Sequence, residues 1–160
     1  MPADRSEAPL DVHGHLATAL ARGVSGLLGI EMVEGSAERV ELRLRVDERV
    51  HQPYGILHGG VSALLAETAA SFGAALAAPG QRVAGIELNA SHLRAMRAGV
   101  LVAVATPVRI GRTVQVWDIA LSDDDGRAIC RARCTLAVSR AERASTTLGG
   151  SDTPTPPGQE

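Results

Sequence analysis

The sequence predicts an α+β fold in which one long central helix is wrapped by an antiparallel sheet, and three observations lead to this prediction. Residues 59–78, GGVSALLAETAASFGAALAA, form an apolar run of helical length that carries a single charge. Segments before and after this run alternate between apolar and polar residues, as strands do. An Asp125-Gly126 pair between the last two of these segments is a strong signal for a tight hairpin turn.

Each remaining element follows from a local pattern. Leu16 and Leu20 are four residues apart and predict a short helix over residues 13–23. Strict alternation from Val40 to Val46 predicts a strand with one solvated face, in a region that we expect to hold two strands. Four further strands are expected after the long helix, at residues 81–93, 100–110, 112–121 and 127–138.

Composition divides the chain of 160 residues into three parts. Residues 1–11 and 139–160 contain few large apolar side chains, and the second segment is rich in Ser, Thr, Gly and Pro. We therefore expect a flexible N-terminus and a disordered C-terminal tail. Residues 12–138 are expected to form a single domain, which falls in the usual size range of about 100–150 residues.

Composition also excludes several classes of partner. The formal net charge is −2 and only three residues are aromatic, so the chain lacks the basic surface and the stacking platforms that nucleic-acid binding requires. The long apolar run is Ala- and Gly-rich, carries Glu67 and lies between strands, which favours a core helix over a membrane span. We expect no nucleic-acid and no membrane partner.

The N-terminal residues and the cysteines both predict a cytoplasmic protein. The first residues, MPADRSEAPLDV, lack a positively charged start followed by an apolar stretch, so no signal peptide is expected. Cys130 and Cys134 are four residues apart in one predicted strand, which is about 13 Å and too far for a disulfide. No cysteine or histidine cluster predicts a metal site, and the Asp123–Asp125 run is expected to be a solvated turn.

The candidate catalytic residues lie at the start and in the middle of the long helix. His58, Gly59 and Gly60 open the helix, where unpaired N–H groups and the positive end of the helix dipole can stabilise an oxyanion. Glu67 follows eight residues after Gly59 and is the only charged residue of the run. A carbonyl-polarising group and a carboxylate are the two halves of an acyl-transfer site. The alternatives are that Glu67 forms an ion pair across an interface or faces solvent.

At these positions the sequence resembles a known family. The segments HQPYGILHGGVSALLAET, VAGIELNASHLR and RIGRT are similar to those of the hotdog-fold acyl-CoA thioesterases, over roughly residues 29–138. Within that family the resemblance is strongest to aroyl-CoA thioesterases of the phenylacetate-degradation superfamily. These include the 4-hydroxybenzoyl-CoA type and the 1,4-dihydroxy-2-naphthoyl-CoA type of menaquinone biosynthesis.

The resemblance implies a fold, an activity and an assembly. The expected fold is the hotdog fold, and the expected reaction is hydrolysis of an acyl-CoA, most of all an aromatic one, to free acid and CoA without a cofactor. The expected assembly is a homodimer that forms a homotetramer, with active sites at the dimer interface. Glu67 would attack the thioester carbonyl or activate water, and the Gly59 N–H would polarise that carbonyl.

Further site residues are implied by the same resemblance, with catalytic roles for some and substrate or CoA binding for others. The additional catalytic residues would be Gln52, His58 and Ser71, and the binding residues would be Gly60, His92, Arg94 and Arg112.

Structural roles remain open for several of these residues. His58 can instead fix the helix start by bonding backbone, and Gln52 can be a turn residue. Arg94, Arg97 and Arg109 can each be surface charges rather than phosphate ligands.

Two other functions are compatible with the same fold. A hydroxyacyl-thioester dehydratase would use a histidine such as His51, but the sequence lacks the H-F-P-G run of those enzymes. A non-catalytic acyl-CoA binding protein would not need the complete set of site residues. Release of free CoA thiol distinguishes the thioesterase from both.

Overall fold

The computed structural model describes residues 12–140, with side chains from Gly14 onward. A six-stranded antiparallel sheet and one long helix dominate this part of the chain. The helices are α1 (Val12–Leu20), α2 (Gly23–Leu28) and α3 (Gly59–Ala77). The strands are β1 (Glu31–Gly35), β2 (Val40–Val46), β3 (His51–Gln52), β4 (Ile56–Leu57), β5 (Gln81–His92), β6 (Gly99–Ile110), β7 (Val114–Ser122) and β8 (Ala128–Arg140).

The strand order places β5 at one edge of the sheet. The order is β1-β2-β6-β7-β8-β5, and every neighbouring pair is antiparallel. The short strands β3 and β4 pair only with each other and lie just before α3 in the chain. β5 is therefore hydrogen-bonded to β8 on one side only, and most of its twelve residues are exposed. An unpaired edge of this length is available to another strand.

Helix α3 packs across the sheet and contacts all six of its strands. Small side chains on the helix make this close approach possible, and a methyl group on Gly73 would overlap the indole ring of Trp117. Trp117 is fully buried and its Nε1–H donates to Gln115 Oε1 at 3.0 Å. Gln115 Nε2 in turn donates to the helix carbonyl of Ala74 at 3.4 Å, so this buried amide is satisfied.

These contacts explain the long apolar helix. It is long and apolar enough to cross a membrane by length and composition alone. Its buried residues include Leu65, Ala66, Ala69 and Ala70, and they pack against the sheet in one hydrophobic core. We therefore interpret α3 as the core helix of the domain, and the predicted α+β class is confirmed.

The predicted elements agree with the structure except before helix α3 and at the start of the C-terminal tail. The predicted short helix ends at Leu20, and a second helix, α2, follows it and is capped by Gly29, which has the left-handed φ of 68°. Four strands precede α3 where two were predicted, because β1 does not alternate between apolar and polar residues and β3 and β4 are only two residues long. β8 continues to Arg140, which pairs with Gln81, so the predicted tail boundary at Ser139 is two residues too early. The other residues of the two predicted terminal segments lie outside the described residues.

Candidate active site

Helix α3 starts with one backbone N–H group that is unpaired among the described residues. His58 is the N-cap, and its Nδ1 accepts a hydrogen bond from Gly60 N–H at 2.9 Å. Within residues 12–140, the Gly59 N–H has no hydrogen-bond partner. The His92 ring lies over Gly59, since a Cβ on this glycine would be 2.7 Å from His92 Nε2. An unpaired donor at the positive end of a 19-residue helix is suited to stabilise a developing oxyanion.

Gln52 is the last residue of β3, lies near this helix start and begins the turn that leads to β4. The turn closes through Gly55 N–H, which donates to Gln52 O at 2.9 Å, and Gly55 has a φ of 68° that favours glycine. Tyr54 N–H donates to Gln52 Oε1 at 3.2 Å. Because the side-chain oxygen is used in the turn, the amide Nε2–H group of Gln52 is the one left to bind a ligand.

A cavity of about 340 Å³ joins these groups. The predicted residues Gln52, Gly59, His92 and Arg94 all line it. Apolar side chains complete the wall, and these are Ile56, Leu57, Leu93, Ala95 and Ile129. An apolar cavity with a few converging polar groups is the usual form of a small-molecule site.

Glu67 lies outside this cavity, two helical turns further along α3. Its side chain is exposed, and it forms no ion pair with any residue of the described chain. The carboxylate rests on Gly85 of β5, where a Cβ would lie 2.6 Å from Oε1. Ser71 follows one turn later on the same helix face and is half-buried.

The distance along the helix separates the two halves of the predicted site. Eight residues at about 1.5 Å per residue place Glu67 about 12 Å along the axis from Gly59. The two groups of one chain are therefore more than two helical turns apart. Strand β5, against which Glu67 lies, is one of the two edge strands of the sheet.

Arg112 is not brought together with the other predicted binding residues. It lies in the turn between β6 and β7, next to Thr113, whose carbonyl accepts from Val138 N–H at 2.8 Å. Val138 pairs with Val83, whereas His92 is at the other end of β5 and pairs with Cys130. At about 3.3 Å per residue, the two ends of β5 are more than about 30 Å apart.

Three residues near the site have roles in the structure that were not predicted from the sequence. Ser62 is 1% exposed and lines the cavity, and its position three residues after Gly59 on the helix was an available signal. Gly85 is the contact of the Glu67 carboxylate, and Arg97 contacts the turn that carries Gln52. Neither of these two positions has a local sequence signal, because each depends on a contact between distant segments.

Two titratable groups outside the cavity, His51 and Cys134, have contacts that give them a structural role. His51 Nε2–H donates to the carbonyl of Arg97 at 2.7 Å, which fixes its ring to backbone and disfavours a role as a dehydratase histidine. Burial raises the pKa of the Cys134 thiol to about 11, and the negative charges of Glu67 and Glu87 add to this rise. Cys134 is therefore a protonated core thiol at neutral pH.

The acidic turn between β7 and β8 is the one group of possible metal ligands found in the described residues. The carboxylates of Asp123, Asp124 and Asp125 lie within 4.8 Å of one another. Asp123 Oδ1 accepts from the backbone N–H groups of Asp125 and Arg127, and the Arg127 side chain pairs with Asp125. These contacts are those of a hairpin turn held by its own side chains, as the sequence analysis expected.

Comparison with known proteins identifies the family. The sequence of residues 54–130 matches the sequence profile of the thioesterase superfamily. The chain is 43% identical over 122 residues to the 1,4-dihydroxy-2-naphthoyl-CoA hydrolase of Listeria monocytogenes, which covers 76% of this chain and 99% of that protein. It is 44% identical over 112 residues to the proofreading thioesterase EntH of Cronobacter turicensis, which covers 69% of this chain and 82% of that one.

The fold comparison agrees with the sequence comparison. The crystal structure of a thioesterase from Haemophilus influenzae matches this structure with a TM-score of 0.77 at 37% identity, covering 82% of this chain and 93% of that one. The sheet and its long helix therefore define a hotdog-fold thioesterase, and the predicted fold is confirmed. The chain belongs to the thioesterase superfamily and is a thioester hydrolase.

Proposed function

We propose that this protein hydrolyses an aromatic acyl-CoA thioester to the free acid and CoA, with Glu67 as the nucleophile or general base. One observation carries the proposal. Among residues 12–140, the Gly59 N–H in the cavity has no hydrogen-bond partner, and the exposed Glu67 carboxylate on the same helix has no ion pair. The N–H group can stabilise the tetrahedral oxyanion. The carboxylate can activate water or attack the carbonyl.

Two routes use the same residues and conserve atoms and charge. In the first, Glu67 takes a proton from a water held by Ser71, and the water oxygen attacks the thioester carbonyl. The C–S bond then breaks, and the proton on Glu67 passes to the sulfur of the leaving CoA. In the second, a Glu67 oxygen attacks the carbonyl and CoA leaves as a thiolate. Water then hydrolyses the resulting anhydride to the free acid and the Glu67 carboxylate, and the proton released from this water goes to the CoA thiolate. Gly59 N–H and Gln52 Nε2–H would bind the carbonyl oxygen in either route.

The active site is proposed to form between two copies of the chain. Glu67 and Gly59 of one chain are about 12 Å apart along the helix, which is too far for both to act on one carbonyl. Glu67 lies at the edge strand β5, so a second copy that pairs along this edge can bring its own cavity towards the carboxylate. We infer a homodimer for this reason, and the resemblance to the family extends it to a homotetramer.

The identity of the acyl group is proposed from the relative in Listeria monocytogenes. That protein is named for 1,4-dihydroxy-2-naphthoyl-CoA, whose acyl group belongs to menaquinone biosynthesis, whereas the relative in Cronobacter turicensis, at nearly the same identity, is named a proofreading thioesterase. Apolar walls formed by Ile56, Leu57, Leu93 and Ile129 suit a flat aromatic group. His92 and Arg94, on the same cavity, are proposed to bind the CoA portion.

We place the reaction in the cytoplasm. Both cysteines, Cys130 and Cys134, are buried and unpaired with each other, as is usual for proteins of a reducing compartment.

The test compares Glu67→Gln with a matched control, Glu38→Gln. Glu38 is an exposed glutamate between β1 and β2, at the far end of the sheet from β5, and it does not line the cavity. Purified protein is mixed with a panel of aroyl-CoA and aliphatic acyl-CoA esters, and released CoA is measured with a thiol-reactive dye. We expect the parent and Glu38→Gln to release CoA and Glu67→Gln to lose at least about 10²-fold in kcat, with little change in KM.

Melting of the same variants distinguishes the ion-pair alternative. Loss of a buried ion pair would cost about 3–5 kcal/mol of stability, whereas an exposed carboxylate without an ion pair should leave the melting temperature unchanged. A folded Glu67→Gln variant with nearly full turnover would overturn the mechanism. A parent protein that binds the esters and releases no CoA would be a binding protein instead.

A further inference from the structure

The turn that carries Gln52 is held in place by a residue far away in the sequence. Arg97 lies between β5 and β6, and its Nη1 donates to the carbonyl of Gly55 at 2.9 Å and to that of Tyr54 at 3.5 Å. Gly55 is also the residue whose N–H closes the turn onto Gln52 O. The guanidinium therefore binds the two residues at the tip of this turn.

The backbone of the same segment binds the two short strands that flank the turn. His51 Nε2–H donates to Arg97 O at 2.7 Å, and Leu57 N–H donates to Met96 O at 2.7 Å. His51 belongs to β3 and Leu57 to β4. Residues 96 and 97 thus contact the strand before the turn, the turn itself and the strand after it.

Within the described part of the chain, the side chain of Arg97 bonds only to these two carbonyls. It is exposed, and it forms no ion pair with the residues that the structure describes. A charged donor forms stronger hydrogen bonds to carbonyls than a neutral one. An exposed arginine side chain loses considerable rotamer freedom when it is fixed, so two carbonyl contacts without an ion pair indicate a specific role for the turn.

We propose that Arg97 is a positioning residue for Gln52, and that it holds together the two segments that carry Gln52 and Arg94. Gln52 lines the cavity from the end of β3, and Arg94, three residues before Arg97, lines it from the segment between β5 and β6. Hydrogen bonds of residues 96 and 97 join this segment to β3, to β4 and to the turn between them. This inference rests on the proposed thioesterase function, in which Gln52 Nε2–H binds the thioester oxygen. The sequence alone placed Arg97 among the surface charges.

The test is a double-mutant cycle between Arg97 and Gln52, measured as CoA release from the best substrate of the panel. Arg97→Ala should lower kcat about tenfold or more, because a displacement of about 1 Å can cost up to about 10²-fold. In the Gln52→Ala background the same substitution should cost less than about twofold, since Arg97 then has no group to position. Arg97→Lys keeps a charged donor and should recover part of kcat.

A matched control removes an arginine of similar exposure elsewhere. Arg127 lies in the turn between β7 and β8 and pairs with Asp123 and Asp125, so Arg127→Ala should keep the parent kcat. His51→Ala removes the second side-chain contact with Arg97 and should likewise have little effect in the Gln52→Ala background. If Arg97→Ala does not fold, Arg97→Lys and His51→Ala complete the same cycle.

The outcomes separate this inference from the proposed function. Full activity of Gln52→Ala would contradict the site assignment of the proposed function. Reduced activity of Gln52→Ala, together with full activity of Arg97→Ala or with losses that multiply in the double variant, would overturn the positioning role alone.

Discussion

The carboxylate of Glu67 rests directly on Gly85, where a side chain would lie 2.6 Å from Oε1. Gly85 is on β5 and Glu67 is on α3, so this contact joins the core helix to the edge strand of the sheet. The missing side chain leaves room for the carboxylate at the edge where a second copy is proposed to bind. A glycine at position 85 is therefore required by the candidate site, to make room for the Glu67 carboxylate, and not by the fold.

The first prediction follows from this contact. Gly85→Ala should displace the flexible end of Glu67 and lower kcat about tenfold or more. Its stability should change by less than about 1 kcal/mol, because the φ of Gly85 is not in the left-handed region and the contacted atom can move. Turnover and urea unfolding of the same variant measure both quantities. In the Glu67→Ala background the substitution should have no further effect on turnover, and an equal loss in both backgrounds would contradict the prediction.

A second prediction concerns the shared site. Glu67→Ala and Gln52→Ala should each have a strongly reduced but measurable kcat as pure proteins. When the two variants are co-expressed with different tags and the mixed dimer is purified, one of its two sites has both residues intact and the other has neither. We expect roughly half of the parent activity from this dimer if the site is formed by two chains. An inactive mixed dimer would show that both residues of a site belong to one chain.

The third prediction tests the packing of helix α3 on the sheet. A methyl group at Gly73 would overlap the buried ring of Trp117, so Gly73→Ala should destabilise the fold by about 1–3 kcal/mol through overpacking. Urea unfolding, followed by the fluorescence of this single tryptophan, measures the loss. In a Trp117→Phe background, followed by circular dichroism, the smaller ring should reduce the cost of the alanine. An undiminished cost there would place the strain elsewhere.

A fourth prediction uses the raised pKa of Cys134. Burial raises this pKa to about 11, while a thiol in the unfolded chain ionises near about 8.5. The folded state holds the proton more tightly, so this contribution to stability is complete below about pH 8.5 and is lost as the pH rises towards 11. The urea midpoint of the parent should therefore fall more steeply over this pH range than that of Cys134→Ala. Equal slopes for the two proteins would contradict the raised pKa.

The same burial has a practical consequence for the activity assay. Cys130 and Cys134 are both 0% exposed, and burial raises the pKa of each thiol. A thiol-reactive dye at pH 8 should therefore label neither cysteine until the protein unfolds, and the dye signal should report released CoA.

Local patterns in the sequence were sufficient for the fold class and for most members of the site. Alternation predicted the strands, and the apolar run predicted α3 to within one residue of its end. The spacing of Gly59, Glu67 and Ser71 on one helix was already determined, because helical geometry converts sequence separation into distance. Helix α2, the position of β1 and the two-residue strands β3 and β4 were not predicted, since these short segments show no regular alternation of apolar and polar residues.

The tertiary structure decided which of these residues meet. It brings Gln52, Gly59, His92 and Arg94 to one cavity and leaves Arg112 at the opposite end of β5. It also places Gly85 against Glu67 and Arg97 against the Gln52 turn. These contacts join segments that are 18 or more residues apart, so they depend on strand order, register and the packing of α3 on the sheet. The sequence by itself determines which reactive groups each segment carries. Only the packing of the helix on the sheet determines which segments share a site. The physical reason is that side-chain periodicity shows which residues lie on one face of an element, but not which other element that face contacts.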